Sequence, residues 1–237
     1  MKKVIKLCMV GIVSISLLGA CSFGKTEEPR NGAVIIGEEQ RLKEIVNQHK
    51  SDIKSNDLYK VKRAETDIKV KKENKVIIEK KQILIIDQQT AEGAMKKGVL
   101  RKTNHQGPTS EGPITSLPTI PKGKVVMFTS NKQKELKEIK VNDKKIDVQY
   151  EDDISLGRVR ASTYEDIILL VDATTFKDLP GTETYMEVLH FNKSYGENKA
   201  YNGDDAEAMQ AWNEWSKFTK DMKKEVTSFD TVSIIKK

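Results

Sequence analysis

Apolar residues recur along this chain at two spacings, and each change of spacing marks an element. Across residues 38–53, Leu42, Ile45, Val46, His49 and Ile53 fall at helical intervals, with Arg41, Lys43, Glu44 and Asn47 around the rest of the turn. That predicts an amphipathic helix. The pattern then turns to strands: Tyr59 and Val61 alternate, then Ile68 and Val70, followed by the apolar runs 76–78 and 83–86. Between those runs, Glu79, Lys80, Lys81 and Gln82 fit either a turn or the solvent-facing middle of one strand. Residues 90–99 read as a weak helix.

Farther on, 125–128 is an apolar strand, and 138–141 with 144–150 read as a hairpin. Its turn is Asn142-Asp143, two residues that tolerate a left-handed backbone, and Ile146, Val148 and Tyr150 form its buried face. The unbroken apolar run 167–171 predicts a central strand, and 185–191 another. The clearest helix is 205–226, with Asp204 as N-cap and Glu207 three residues on. Ala208, Met209, Trp212, Trp215, Phe218, Met222 and Val226 lie on one side of it, so both tryptophans are expected in the core. Residues 232–235 suit a closing edge strand. Without a regular βαβ repeat, the expected fold is α+β: a mostly antiparallel sheet packed by the N-terminal helix and the long C-terminal helix. Residues 102–124 hold four of the six prolines, so a long exposed loop is expected there, dividing the body if it has two lobes.

The first residues carry a different message. Lys2, Lys3 and Lys6 precede an apolar run over residues 7–18, the order of a signal peptide. Twelve helical residues rise only about 18 Å, too little for a permanent span. The run ends Leu18-Gly19-Ala20-Cys21, which closely resembles the lipobox of bacterial lipoproteins. The resemblance implies diacylglycerol on the Cys21 sulfur and cleavage between Ala20 and Cys21. Two acyl chains hold far more firmly than one. Residues 22–37 mix turn formers and charges and read mainly as a tether, although 33–36 could add a short strand. As a coil of about 16 residues it would span roughly 20 to 24 Å, and about 55 Å fully extended. The layout is therefore signal peptide 1–20, lipidated tether 21–37 and body 38–237.

Charge and cysteine usage then narrow the chemistry. The net charge is +6, and losing Lys2, Lys3 and Lys6 with the signal leaves +3, too little to argue for nucleic acid. Cys8 leaves with the signal and Cys21 carries lipid, so the body has no cysteine for a disulfide, a thiolate nucleophile or a zinc site. Phosphate-loop, dinucleotide, zinc-protease, nucleophile-elbow and EF-hand motifs are all missing, and no cofactor is implied. Ser51 with Lys54, and Ser233 with Lys236, match S-x-x-K without its companion elements, the reading expected of chance. His49, His105 and His190 are scattered and read as structural or solvated. Asn202, Gly203, Asp204, Asp205 and Glu207 could offer oxygens to calcium but are better explained as a turn and helix cap.

Residues 50–81 hold 11 basic and 6 acidic residues, and residues 178–207 hold 2 basic and 7 acidic. A solvated lysine-rich sheet face explains this more simply than attraction to anionic lipid or wall polymer. Nine of the 14 aromatics lie from Phe176 onward, which fits a core better than a ligand platform.

In lipobox, tether and lysine-rich body, the chain resembles the small uncharacterised lipoproteins of Gram-positive bacteria. The expected role is a non-enzymatic ligand- or protein-binding module on the extracytoplasmic face of the cell membrane, held by lipid on Cys21. Its partner would be an envelope protein or wall polymer, not nucleic acid. The alternatives are an envelope hydrolase with a dispersed site and a structural member of a membrane complex. A polar pocket with His105 or His190 beside a carboxylate would favour the hydrolase; an exposed apolar groove or unpaired sheet edge would favour the binder.

Overall fold

A computed structural model describes residues 28–72, 75–105, 110–157, 167–197 and 205–235. In chain order the first half runs β1 (Gly32–Gly37), α1 (Glu39–Gln48), β2 (Ile53–Lys72), β3 (Lys75–Asp87), α2 (Gln88–Lys96), β4 (Leu100–Asn104) and β5 (Ser110–Pro113). The second runs β6 (Val126–Thr129), β7 (Glu138–Val141), β8 (Lys144–Asp147), β9 (Gln149–Asp152), β10 (Ile154–Leu156), β11 (Ile167–Val171), α3 (Ala173–Asp178), β12 (Thr182–Phe191), α4 (Ala206–Glu225) and β13 (Ser228–Val232). Eight strands form one sheet in the order β13-β1-β12-β2-β3-β11-β6-β9, beside a three-stranded sheet β10-β4-β5 and the hairpin β7-β8. All pairs are antiparallel except β3 with β11 and β6 with β9. The fold is α+β, as the pattern predicts.

Alternation along the strands builds two covered faces. Val34, Ile36, Leu84, Ile86, Phe128, Leu170 and Val188 point to one, under α2 and the three-stranded sheet. On the other, Ala33, Ile35, Leu189 and Phe191 meet Leu42 and Ile45 of α1 and Trp215 and Met222 of α4. Farther along that face, Ile85, Met127 and Leu169 pack on Ile139 and Val141 of the hairpin and Phe176 of α3. The run of β11 is buried on both sides because α2 and the three-stranded sheet cover one face and the β7-β8 hairpin and α3 the other. Asn142 and Asp143 have φ of 47° and 64°, the backbone that a two-residue hairpin turn demands.

Several expectations need correction. Residues 32–37, read mainly as tether, are a fully buried strand between β12 and β13. The helix expected over 38–53 ends at Gln48, and Ile53 opens β2. The separate strands expected between Tyr59 and Val70 are one long strand, and of the two alternatives left open for Glu79 to Gln82 the structure has the middle of one strand, β3. The proline-rich loop separates no lobes, since strands from both sides of it alternate in the main sheet. The closing strand is β13, at the sheet edge but beginning at Ser228. The cap of α4 is Asp205, whose carboxylate accepts from the Glu207 and Ala208 N–H groups at 3.0 Å, whereas Asp204 lies outside the described residues. Trp215 is fully buried, but Trp212 is 39% exposed and Met209 46%, so the core reading fails for these two. At 100° per residue they lie progressively off the buried line through Trp215, Thr219 and Met222.

One buried carboxylate supplies a test of the packing. Glu187, 1% exposed on β12, accepts from Asn56 Nδ2 at 2.6 Å, and burial is the main cause raising its pKa above the usual 4.5. A carboxyl that binds its proton more readily folded than unfolded destabilises the fold when ionised. That penalty is complete above the folded-state value and disappears below 4.5. Glu187→Gln is therefore expected to raise stability at neutral pH, with the gain over wild type shrinking as pH falls through the folded value. Urea titrations across the acid range read this; a gain independent of pH would refute it.

Candidate binding surface

The long hairpin β2-β3 outgrows the sheet that carries it. Pairing of β2 with β12 ends at Arg63 opposite Thr182, and pairing of β3 with β11 begins at Ile83. Beyond those residues β2 and β3 pair only with each other, out to Lys72 opposite Lys75. At the strand rise this two-stranded ribbon extends roughly 30 Å. A bare hairpin is marginal in water. Here one face is supported, because Ile68 and Val70 pack with Ile139 and Val141 of the β7-β8 hairpin.

The opposite face has no such cover. The register sets Lys69 opposite Ile78 and Lys71 opposite Val76. Both aliphatics are 67% exposed, the largest exposures of any bulky apolar side chains among the described residues. Toward the body, charge is matched: Lys60 meets Glu183 of β12 at 2.9 Å, and Lys80 meets Glu65 at 3.1 Å. The acidic segment thus meets the basic one through Lys60 and Glu183. At the tip, Lys69 forms no ion pair among the described residues and shares the open face with the two aliphatics. The base of the ribbon is tied to α3: buried Lys62 donates to the carbonyls of Lys177 and Leu179 at 3.1 and 2.8 Å, satisfying the last turn of α3.

The other candidates stay apart. His105 Nε2 lies 2.9 Å from Asp153 Oδ2, an oxygen that also accepts from the Asn131 N–H at 3.2 Å. Nearby is a cavity of about 400 Å³ lined by residues 113–118 with Lys102, Glu151, Asp152 and Ile154, and His105 does not line it. His190 is buried in β12, and His49 closes α1 with its ring edge-on to Phe218 at 5.5 Å. Ser51 and Lys54 straddle the start of β2, so their spacing does not bring the side chains together as on a helix. Ser233 is buried, and Lys236 lies outside the described residues, as do Cys21 and 202–204. Among the described residues no group of three His, Cys, Asp or Glu could hold a metal ion, and no helix is long and apolar enough to cross a membrane. The sequence reading missed Val76 and Ile78 as surface residues. Their signal is that three consecutive apolar residues, 76–78, cannot all face one side of a strand.

No curated protein matches the chain. Among solved structures, the "Putative Lipoprotein from Bacillus anthracis", a crystal structure at 1.5 Å, is similar with a TM-score of 0.60 and 20% identity. The similarity covers 86% of this chain and 99% of that one, and it establishes a shared fold. The model of an uncharacterised lipoprotein family matches residues 30–233, nearly the whole described body. The chain belongs to that uncharacterised lipoprotein family.

Proposed function

We propose that this lipoprotein is cut before Cys21, anchored by lipid on that cysteine at the extracytoplasmic face of the cell membrane, and acts as a non-enzymatic binding module through the tip of its β2-β3 ribbon. The observation that supports this is the exposed pair Val76 and Ile78 with the cation of Lys69 on the same open face, an arrangement suited to an envelope protein with an apolar strip edged by carboxylates. The ribbon also points away from the anchor. Gly32, where the tether enters, lies opposite His190, which pairs with Ser55 of β2. From Ser55 to the tip is roughly 55 Å along the strand.

A photo-crosslinking residue at position 78 in intact cells is expected to give a discrete adduct that Val76→Asp abolishes. The same probe at the hairpin turn residue Asp143 should give none. Equal labelling from both positions would refute the tip as binding surface, and a polydisperse adduct would identify a wall polymer instead. Cys21→Ser should lose fatty-acid labelling and accumulate uncut precursor; labelling that persists would remove the anchor. The His105–Asp153 pair favours a second reading, an envelope hydrolase, in which His105→Ala would abolish a hydrolytic activity while leaving tip crosslinks intact.

A further inference from the structure

We propose that the N-terminal half of α4 docks on the membrane: Trp212 and Met209 enter the headgroup region of the leaflet that holds the lipid on Cys21. This rests on the anchoring proposed above and adds an orientation to it. Met209, Trp212 and Ser216 follow one another at intervals of three and four, so they form a stripe beside the buried one in the first half of the helix. At 46% and 39% exposure, Met209 and Trp212 are the large apolar side chains left open on this helix. The other such pair, Val76 and Ile78, sits at the far end of the molecule.

The path of the chain selects the bilayer as occupant. Coming from Cys21, the backbone is fastened beside this stripe: Pro29 bridges to Glu197, and the Arg30 N–H donates to the Gly196 carbonyl at 2.8 Å. Arg30 also donates through Nη1 to the Tyr195 carbonyl at 3.1 Å, and its guanidinium lies 4.8 Å from the centre of the Trp212 ring. Between Cys21 and Pro29 the chain can stretch no more than about 30 Å. A lipid on Cys21 therefore holds the Trp212 end of α4 close to the bilayer, while the other end of the helix, at Val226, lies against Gly37 at the opposite end of β1. An indole with one polar edge and a flexible thioether suit the interfacial layer.

The test uses the full mature chain, its Cys21 lipid verified by mass spectrometry, in phosphatidylcholine vesicles with a minor share of phosphatidylglycerol. With brominated acyl chains in the bilayer, the Trp212 component of emission should be largely lost and shielded from aqueous iodide, whereas buried Trp215 responds to neither. Trp212→Phe should remove the bromine-sensitive component and leave Trp215 emission unshifted, which also reports that the fold is intact. Lipidated protein whose Trp212 ignores bromine and stays open to iodide would overturn the docking while leaving the anchor standing. Absence of lipid on Cys21, with the chain free of vesicles, would overturn both. An environment-sensitive dye at position 78 that responds to the bilayer would overturn the orientation.

Discussion

Replacing Trp215 by Ala is expected to lower stability by about 3 to 5 kcal/mol, a large share of the roughly 5 to 15 kcal/mol that a domain of ordinary size has. The indole is completely buried where α4 crosses β1 and β13. It packs against Phe191 at 5.7 Å, Tyr195 at 5.3 Å, Phe218 at 6.1 Å and Phe229 at 6.2 Å, and its Nε1 donates to Thr231 Oγ1 at 3.1 Å. Truncation leaves a cavity bounded by four rings that cannot collapse together, since they come from β12, the segment after it, α4 itself and β13. The Thr231 hydroxyl also loses its donor. Trp215→Phe keeps most of the volume and should cost less. Urea midpoints monitored by circular dichroism check both; a loss below about 1 kcal/mol for the alanine variant would contradict the packing described.

Gly157→Ala is expected to cost about 2 to 4 kcal/mol, from two separable causes. Its φ is +77°, a left-handed conformation that a side chain strains, and an added Cβ would overlap the Asp230 carboxylate. Asp230 is 7% exposed and on β13, so it has little room to move aside, while the Gly157 N–H is tied to the Val99 carbonyl at 2.8 Å. The two causes part in a double-mutant cycle. With Asp230→Ala as background the overlap disappears and only the backbone strain remains, so the two substitutions should be non-additive. Strict additivity would show that the carboxylate does not limit the site.

What the sequence disclosed about this fold follows from how far each signal reaches. The Asn142-Asp143 turn, the run of β11 and the body of α4 are written in neighbouring residues, and each appears close to where its local pattern places it. β1 carries only a short mark, the apolar run 33–36, which allows a strand without requiring one. Ala33 to Ile36 become a strand because β12 and β13 flank them, and those partners are far away in sequence. The same limit explains Trp212 and Met209. A helical stripe states which residues share a side, but the width of the covered arc depends on what the helix lies against. For the candidate surface, the lysines of β2 and β3 were visible from the start. Their meaning depends on where β12 and β11 stop pairing, which no local pattern records.

The place of β1 has a consequence for how the molecule comes into being. Gly32 is hydrogen-bonded territory between His190 and Val232, so one of the first body segments to be synthesised must wait for nearly the last. Closing loops of that length is entropically slow, and the main sheet cannot be completed while the C-terminal residues are still withheld. A chain threaded through a narrow channel N-terminus first would therefore remain an open polymer through most of its passage, with the β1 edges unsatisfied. Folding would be timed to release of the whole chain, on the side where the molecule is to work.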